Sequence, residues 1–191
     1  YIIYRYERSK ERVEKKKEDL EKLEENALYI TKKNGTREVF DIEKVRKSVQ
    51  YVAYGYEKEV NVDQIVNQVK LEVFEGMTTK EINKAVVMSV RAMIEQDPAY
   101  SYVASRLLIR QINEDTIGTH IDYNKLDLAY REVFIKGITQ GVEKKILDER
   151  MKDFDLLTLS KALAPKRDEL FMYLGTQTLY ERYLVRDVEG G

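Results

Sequence analysis

The chain has 191 residues, of which 33 are Lys or Arg and 34 are Asp or Glu, and its formal net charge is −1. A broad nucleic-acid surface requires an excess of cations, so this balance argues against a nucleic-acid partner. The absence of cysteine excludes disulfides and thiol chemistry within these residues, and the single histidine, His120, cannot form a histidine metal cluster. We therefore expect no catalytic residue and no metal site in this chain. Its apolar runs are too short for a membrane span.

The first 27 residues are predicted to form a charged helix. From Arg5 to Glu25, eight basic and eight acidic residues are mixed, and opposite charges four residues apart stabilise a solvated helix. The only apolar seam is thin. We interpret the segment as a helical linker, because a coiled coil, the alternative, would need more heptads. The seam consists of Val13, Leu20, Leu23 and Ala27.

A β-hairpin is predicted for the stretch from Leu28 to Phe40. Two runs of β-branched and aromatic residues, Tyr29-Ile30-Thr31 and Glu38-Val39-Phe40, flank Asn34-Gly35. Both central positions of a type I′ turn need a positive φ, which Asn and Gly tolerate best, so we expect these two residues at the centre of such a turn. Asp41 follows as the cap of the next helix.

Four helices are predicted after the hairpin, because apolar residues recur with helical spacing between capping and terminating residues. Their expected limits are Ile42 to about Gly55, Val62 (after the cap Asn61) to Phe74 before Gly76, Thr79 (after a capping box at Thr78–Glu81) to Glu95 before Asp97, and Pro98 to about Glu114. The hairpin and these helices form one module, residues 28–118.

The remaining residues, 119–191, are predicted to form the helical beginning of a further, incomplete domain. Apolar and aromatic residues are frequent there, and no strand alternation is visible. The expected helices are Tyr123–Ile138 with Asp122 as cap, Val142–Met151 and Asp155–Leu163. Ala164-Pro165 is expected to break the chain, and Arg167 to Arg186 carries many aromatic residues.

The hairpin and the following helix bring cationic and anionic side chains together. Lys32, Lys33 and Lys44 are expected near Glu38 and Asp41. Ammonium groups neutralise phosphates, and carboxylates accept hydrogens from a base or a ribose, so this combination suits a nucleotide. The alternative is a solvated hairpin with ordinary surface lysines.

Three stretches carry a resemblance to a known family. YITKKNGTREVFDIEKV, GMTTKEIN and DPAYSYVASRLLIRQI, in this order and spacing, resemble the ATP-cone, the nucleotide-sensing domain of ribonucleotide reductases. ERMKDFDLLTLSKAL and RDELFMYLGTQTLYERYLVRD are similar to the entry of the catalytic large subunit. Tyr1 to Arg12 resembles the tail of a preceding ATP-cone. The resemblance implies a mainly helical fold, in which a β-hairpin caps a four-helix bundle and a helical segment leads towards a ten-stranded α/β barrel.

The resemblance also implies which residues hold a nucleotide, and physical chemistry agrees with it. Ammonium groups and a helix N-terminus suit phosphates, the apolar residues can enclose an adenine, and the carboxylates can accept its hydrogens. Two departures, Asn83 and the acidic pair Glu114 and Asp115, replace potential cationic phosphate contacts. The implied positions are Ile30, Lys32, Lys33, Glu38, Asp41, Lys44, Val45, Thr79, Ile82 and Asn83.

The implied function is control of a ribonucleotide reductase by ATP, which activates, and dATP, which inhibits, either with magnesium. The implied partners are other large subunits and, in a class I enzyme, a radical-generating small subunit, all in the cytoplasm. Without cysteine this chain is regulatory and not catalytic. Two alternatives stay open: an ATP-cone transcriptional repressor of reductase genes, and a helical interaction module without a ligand.

Overall fold

The computed structural model describes residues 2–25, 27–118 and 125–185, with no side-chain description for Ile2, Ile3 and Tyr6. The described residues are mainly helical, with one antiparallel two-stranded sheet, which confirms the expected fold class. The elements in chain order are α1 (Ile2–Glu24), β1 (Tyr29–Thr31), β2 (Arg37–Val39), α2 (Ile42–Val52), α3 (Val62–Glu72), α4 (Thr79–Arg91), α5 (Ala99–Thr116), α6 (Leu126–Glu143), α7 (Leu156–Lys161) and α8 (Tyr173–Arg182).

Two compact units divide the chain, Tyr1–Leu107 and Leu108–Gly191, and their boundary falls within α5. The first unit contains the hairpin, α2, α3 and α4. The second contains α6, α7, α8 and two 3-10 helices, Glu149–Asp153 and Pro165–Leu170.

The hairpin forms as expected, but its turn differs from the expected type. The strands pair with Ile30 opposite Glu38. The Gly35 N–H donates to the Lys32 carbonyl at 2.9 Å, and Gly35 has a φ of 80° whereas Asn34 has no positive φ. The type I′ prediction was therefore wrong. Lys33 and Asn34 occupy the turn centre and Gly35 follows in the left-handed region, as in a three-residue hairpin loop.

The outer edge of β1 pairs with the connection between α3 and α4. The Thr31 N–H donates to the Met77 carbonyl at 3.0 Å, and the Gly76 N–H donates to the Tyr29 carbonyl at 2.8 Å. Thr31 also forms an isolated parallel bridge with Thr78. The hairpin is thus bound along one edge to the segment that precedes α4.

The faces of α2, α3 and α4 supply the apolar core of the first unit, and α3 packs against both of the other helices. Each helix begins where expected, because Asp41, Asn61 and Thr78 accept backbone N–H groups as N-caps. The helices end two to four residues before the expected limits, since turn or extended residues take the place of their last predicted residues. The buried side chains are Val45, Val49 and Val52 of α2, Ile65, Val66 and Val69 of α3, and Ile82, Ala85, Val86, Val87, Ser89 and Val90 of α4.

α5 begins at Ala99, whose N–H donates to the Asp97 carboxylate at 2.7 Å. Its Arg106 closes the C-terminal end of α2: Nη1 donates to the carbonyls of Val52 and Tyr54, each at 2.8 Å. The guanidinium lies 4.1 Å from the centre of the Tyr54 ring. The carbonyls at a helix end have no partner within the helix, so a cation from a neighbouring helix stabilises them.

α1 is the charged helix expected from the sequence, but the expected apolar seam is only partly buried. Leu23 is buried, whereas Val13 is 54% exposed and Ala27 is exposed. A carboxylate, Asp19, is buried four residues before Leu23 and on the same face. α1 packs on α3 through this C-terminal part.

In the second unit, α6 runs continuously from Leu126 to Glu143, through Gly137 and Gly141. The predicted break between Ile138 and Val142 was wrong, because glycine weakens a helix by only about 1 kcal/mol and flanking residues can override it. The predicted helix Val142–Met151 was also wrong: its middle is a turn with Lys145 at φ 60°, and its end is a 3-10 helix. The predicted cap Asp122 lies outside the described residues.

The helix predicted for Asp155–Leu163 is shorter than expected: α7 covers six residues, with Asp155 as its cap. The aromatic-rich stretch that follows contains a 3-10 helix and α8. Inside this unit, the Tyr130 hydroxyl lies 2.8 Å from Asn113 Oδ1 and 2.8 Å from Asp168 Oδ2. Burial raises the pKa of Asp168, and the hydrogen bond with Tyr130 acts in the opposite direction.

Many large apolar side chains of the second unit are exposed, up to 76% for Leu174. The exposed side chains are Leu128, Phe154, Leu157, Leu159, Leu170, Phe171, Met172, Leu174, Leu179, Tyr183, Leu184 and Val185.

No helix in the described ranges is both long and apolar enough to cross a membrane.

Candidate functional site

The hairpin and α2 bring three predicted site residues together. Lys32 Nζ lies 2.6 Å from one carboxylate oxygen of Glu38, and Lys44 Nζ lies 3.7 Å from the other. Lys32 follows β1, Glu38 is the central residue of β2, and Lys44 is in the first turn of α2. One carboxylate therefore lies between two ammonium groups on a surface open to solvent.

The electrostatics of this cluster favour the ionised carboxylate. The hydrogen bond from Lys32 lowers the pKa of Glu38, and the charge of Lys44 lowers it further. The two cations are only partly neutralised, because Glu38 is a single charge shared by both. An anionic ligand with several oxygens, such as a phosphate chain, can replace or supplement Glu38 as their partner.

Two other predicted residues lie beside this cluster in the sequence. Lys33 is exposed at the centre of the hairpin turn. Asp41 caps α2, where its Oδ1 accepts the Glu43 N–H at 2.9 Å. Since a cap uses one carboxylate oxygen, the same residue can both start α2 and present its other oxygen to a ligand.

The N-terminus of α4 lies against the start of the hairpin loop. Thr79 Oγ1 donates to the Thr31 carbonyl at 3.4 Å. Thr78 and Glu81 form the predicted capping box: Thr78 Oγ1 accepts the Glu81 N–H at 3.2 Å, and Glu81 accepts the Thr78 N–H at 2.8 Å. These bonds also lower the pKa of Glu81. Among the described residues, the N–H groups of Thr79 and Lys80 have no partner, so they can donate to an anion.

The apolar and amide positions of the predicted site are less accessible. Ile30, Val45 and Ile82 are 5–7% exposed and form part of the core. Asn83 is half-buried in the second turn of α4. The structure therefore places the lysines and Glu38 at the surface and the three apolar side chains beneath it. A base can reach only the outer part of these side chains.

One acidic residue supports the site without having been predicted. Glu75 contacts both strands of the hairpin, through the Tyr29 N–H at 3.1 Å and Arg37 at 2.5 Å. Nothing in the local sequence distinguishes Glu75 from the many other glutamates.

The two acidic departures from the expected pattern lie in the second unit. Glu114 forms an ion pair with Arg110 at 3.2 Å, four residues earlier in α5. Asp115 is exposed.

In the described ranges, no group of three or more His, Cys, Asp or Glu side chains is arranged to hold a metal ion.

A hairpin with paired lysines, followed by capped helices in this order, matches one family. Residues 28–115 match the family model described as the ATP cone domain. This part of the chain is an ATP-cone domain, as the sequence predicted.

The chain as a whole is homologous to ribonucleoside-diphosphate reductase alpha subunits. It is 29% identical over 185 residues to the subunit of Chlamydia pneumoniae, a match that covers 96% of this chain and 18% of the relative. It is 31% identical over 162 residues to that of Helicobacter pylori and 26% identical over 162 residues to that of Haemophilus influenzae. These two matches cover 84% of this chain and 19% and 21% of the relatives. The chain thus spans about a fifth of the length of these curated relatives.

Proposed function

We propose that the ATP-cone domain of this chain binds an adenine nucleotide beside the hairpin and α2. The observation that carries the proposal is the cluster of Lys32, Glu38 and Lys44, in which two ammonium groups share one carboxylate. The cluster lies within the residues that match the ATP-cone family. Charge-assisted hydrogen bonds from such ammonium groups contribute about 1.5–3 kcal/mol each, enough to direct a triphosphate to this surface.

The remaining predicted residues have separate roles in this proposal. Lys33 and the N-terminus of α4 at Thr79 contact phosphates, and magnesium, if it accompanies the nucleotide, would neutralise part of the phosphate charge. Asp41 and Glu38 accept hydrogens from the base or the ribose, and Asn83 adds a neutral hydrogen-bonding group. Ile30, Val45 and Ile82 form the apolar floor below the adenine.

The nucleotide acts as an allosteric effector: ATP favours an active assembly and dATP an inhibited one. These two ligands differ by one ribose hydroxyl. A hydrogen bond from that hydroxyl to Asp41 or Glu38 contributes at most about 1.5–3 kcal/mol, and about 1.4 kcal/mol already changes an equilibrium tenfold. A ligand can shift an assembly only by its differential affinity for two states, and this difference is large enough.

The longer protein is a ribonucleoside-diphosphate reductase large subunit that makes deoxyribonucleotides from ribonucleotides in the cytoplasm. Homology over 96% of the chain to such subunits supports this proposal. Residues 1–27 link the ATP-cone to a preceding cone, and residues 119–191 lead towards the catalytic barrel. The partners are other large subunits and, in a class I enzyme, a radical-generating small subunit.

The two alternatives are less well supported. A transcriptional repressor does not account for a match to reductase alpha subunits that continues through most of the second unit. A helical module without a ligand does not account for the match of residues 28–115 to the ATP-cone family.

Calorimetric titration of the chain with ATP and magnesium tests the nucleotide site. We expect the double variant Lys32→Ala/Lys44→Ala to bind ATP at least tenfold more weakly, because two charge-assisted contacts are lost. Lys47→Ala is the matched control: Lys47 is an exposed lysine of α2 and not a predicted site residue. Equal affinity of the double variant and the control would place the nucleotide elsewhere.

A further inference from the structure

Glu75 holds the two strands of the hairpin at one point. Its Oε2 accepts the Tyr29 N–H of β1 at 3.1 Å, and its Oε1 accepts Arg37 Nη2 of β2 at 2.5 Å. Arg37 also lies with its guanidinium 5.2 Å from the centre of the Tyr29 ring. A single carboxylate thus contacts the first residue of each strand. β1 leads to Lys32 of the lysine cluster, and Arg37 directly precedes Glu38 in β2.

Glu75 is itself held by the charged helix α1. Its backbone N–H donates to Asp19 Oδ1 at 3.2 Å. Asp19 is only 6% exposed, although most of α1 is exposed. Burying a carboxylate costs free energy unless it accepts hydrogen bonds, so the position of Asp19 is favourable only while α1 lies against the segment that contains Glu75. The hydrogen bond between the Glu75 N–H and Asp19 therefore forms only when α1 is docked.

We propose that Glu75 is a positioning residue for the nucleotide site, and that Asp19 couples the placement of α1 to nucleotide affinity. This inference rests on the proposed function of the Lys32, Glu38 and Lys44 cluster. When α1 is docked, Asp19 fixes the Glu75 backbone, and Glu75 fixes the strands that present Lys32 and Glu38. Coupling between two sites is reciprocal, so nucleotide binding in turn stabilises the docked α1.

α1 is suited to such coupling because most of its described side chains are exposed. Among its described side chains only Asp19 and Leu23 are buried. A helix that buries so few side chains can dock and undock at a small cost in free energy, which is what a two-state element requires. Docking of α1 is thus the motion through which the rest of a longer chain can sense an adenine nucleotide.

Four substitutions in the full 191-residue chain test the inference by ATP calorimetry. Glu75→Ala removes both hairpin contacts and is expected to weaken ATP binding by about tenfold, whereas Glu75→Gln retains an acceptor oxygen and is expected to lose less. Asp19→Ala is expected to weaken binding by about fivefold. Asp19→Asn retains the acceptor for the Glu75 N–H and is expected to restore near wild-type affinity.

Matched controls separate this effect from a general loss of charge or of stability. Glu18→Ala removes an exposed carboxylate beside Asp19, and Glu59→Ala removes an exposed glutamate elsewhere in the first unit. Every affinity is measured at least about 20 °C below the melting midpoint of the variant, where the unfolded fraction is negligible. A lower melting midpoint with unchanged ATP affinity for Glu75→Ala and Asp19→Ala would reduce both residues to a structural role and overturn the inference.

Hydrogen exchange measures the reciprocal effect directly. ATP is expected to slow amide exchange of the last two turns of α1 several-fold in the wild-type chain, and not in the Lys32→Ala/Lys44→Ala variant. Exchange in α1 that is insensitive to bound ATP overturns the inference while leaving the proposed nucleotide site intact. A wild-type chain that binds no ATP at all refutes the proposed function itself, so the two failures are distinguishable.

Discussion

Lys32 and Glu38 face each other across the hairpin, with Lys32 Nζ 2.6 Å from Glu38 Oε2. This pair is the central feature of the candidate site, because the carboxylate also reaches Lys44 at 3.7 Å. The three groups that we propose for nucleotide binding therefore neutralise one another, in part, without a ligand. A phosphate must compete with Glu38 for the lysines, and the strength of the site depends on that competition.

The stability of the hairpin is expected to depend on pH through Glu38. Its pKa in the folded chain is lowered below the usual 4.5, first by the hydrogen bond from Lys32. A lowered folded pKa gives a stabilisation that is present above the unfolded pKa and is lost as the pH falls through the folded value. Wild-type chain should therefore lose more unfolding free energy than Glu38→Gln as the pH falls below 4.5.

Urea unfolding at a series of pH values measures this difference. Glu59→Gln, at an exposed position of the same unit, controls for the general removal of a negative charge. An acid dependence of Glu38→Gln as steep as that of the wild-type chain would show that the ion pair with Lys32 does not form in solution.

The hairpin turn requires a positive φ at Gly35 but not at Asn34. Gly35→Ala should destabilise the first unit by about 1–2 kcal/mol, because its φ of 80° is unfavourable for a residue with a Cβ atom. Asn34→Asp should be nearly neutral, since its side-chain oxygen can still accept the N–H and hydroxyl of Thr36. Thermal unfolding of both variants tests the turn geometry. A type I′ turn would instead require positive φ at Asn34 as well, and Asn34→Ala would then be about as costly as Gly35→Ala.

Arg106 is expected to be a major source of stability in the first unit. Its Nη1 donates to the Val52 and Tyr54 carbonyls, and these lose a charged donor in Arg106→Leu. We expect a loss of about 2 kcal/mol in urea unfolding. Arg106→Lys should recover only part of it, because an ammonium cannot stack on the Tyr54 ring as a planar guanidinium does. As a control, Arg150→Ala breaks an exposed ion pair with Asp148 and should change stability little, because solvent screens such a pair.

Residues 119–191 are not expected to fold as an independent domain. Their helices expose large apolar side chains, including Leu157, Leu174 and Tyr183, and extended apolar surfaces mark missing partners. Separation at residue 119 also removes Asn113, which contacts the Tyr130 hydroxyl. Expressed alone, this segment should aggregate or bind a hydrophobic dye. Cooperative thermal unfolding of a monomeric 119–191 fragment would contradict the expectation.

Local signals in the sequence predicted the start of most elements and the composition of the lysine cluster. Asp41, Asn61 and Thr78 act as helix caps where expected, because capping depends on a side chain and the backbone two or three residues away. The presence of Lys32, Glu38 and Lys44 in one cluster followed from a hairpin next to a helix. These are short-range relationships, and one sequence is sufficient to read them.

Long-range relationships were not visible in the sequence. Asp19 and Glu75 are separated by 56 residues, and neither lies in a pattern that distinguishes it from neighbouring carboxylates. The helix break expected near Gly141 failed for a related reason, since packing around α6 and not the local preference of glycine decides where that helix ends. The turn type failed because Asn-Gly is compatible with more than one hairpin loop, and the loop length selects among them.

The pairing of β1 with the segment before α4 has a consequence for the order of folding. The bond from the Gly76 N–H to Tyr29 closes a loop of more than forty residues, which contains β2, α2 and α3. Contacts that close long loops form slowly, whereas helices form from local contacts. We expect α2 and α3 to form before β1 pairs with the segment that precedes α4. The contacts of Glu75 with Tyr29 and Arg37, which span the same loop, would then be among the last parts of the first unit to assemble on refolding, and among the first to open in the native chain.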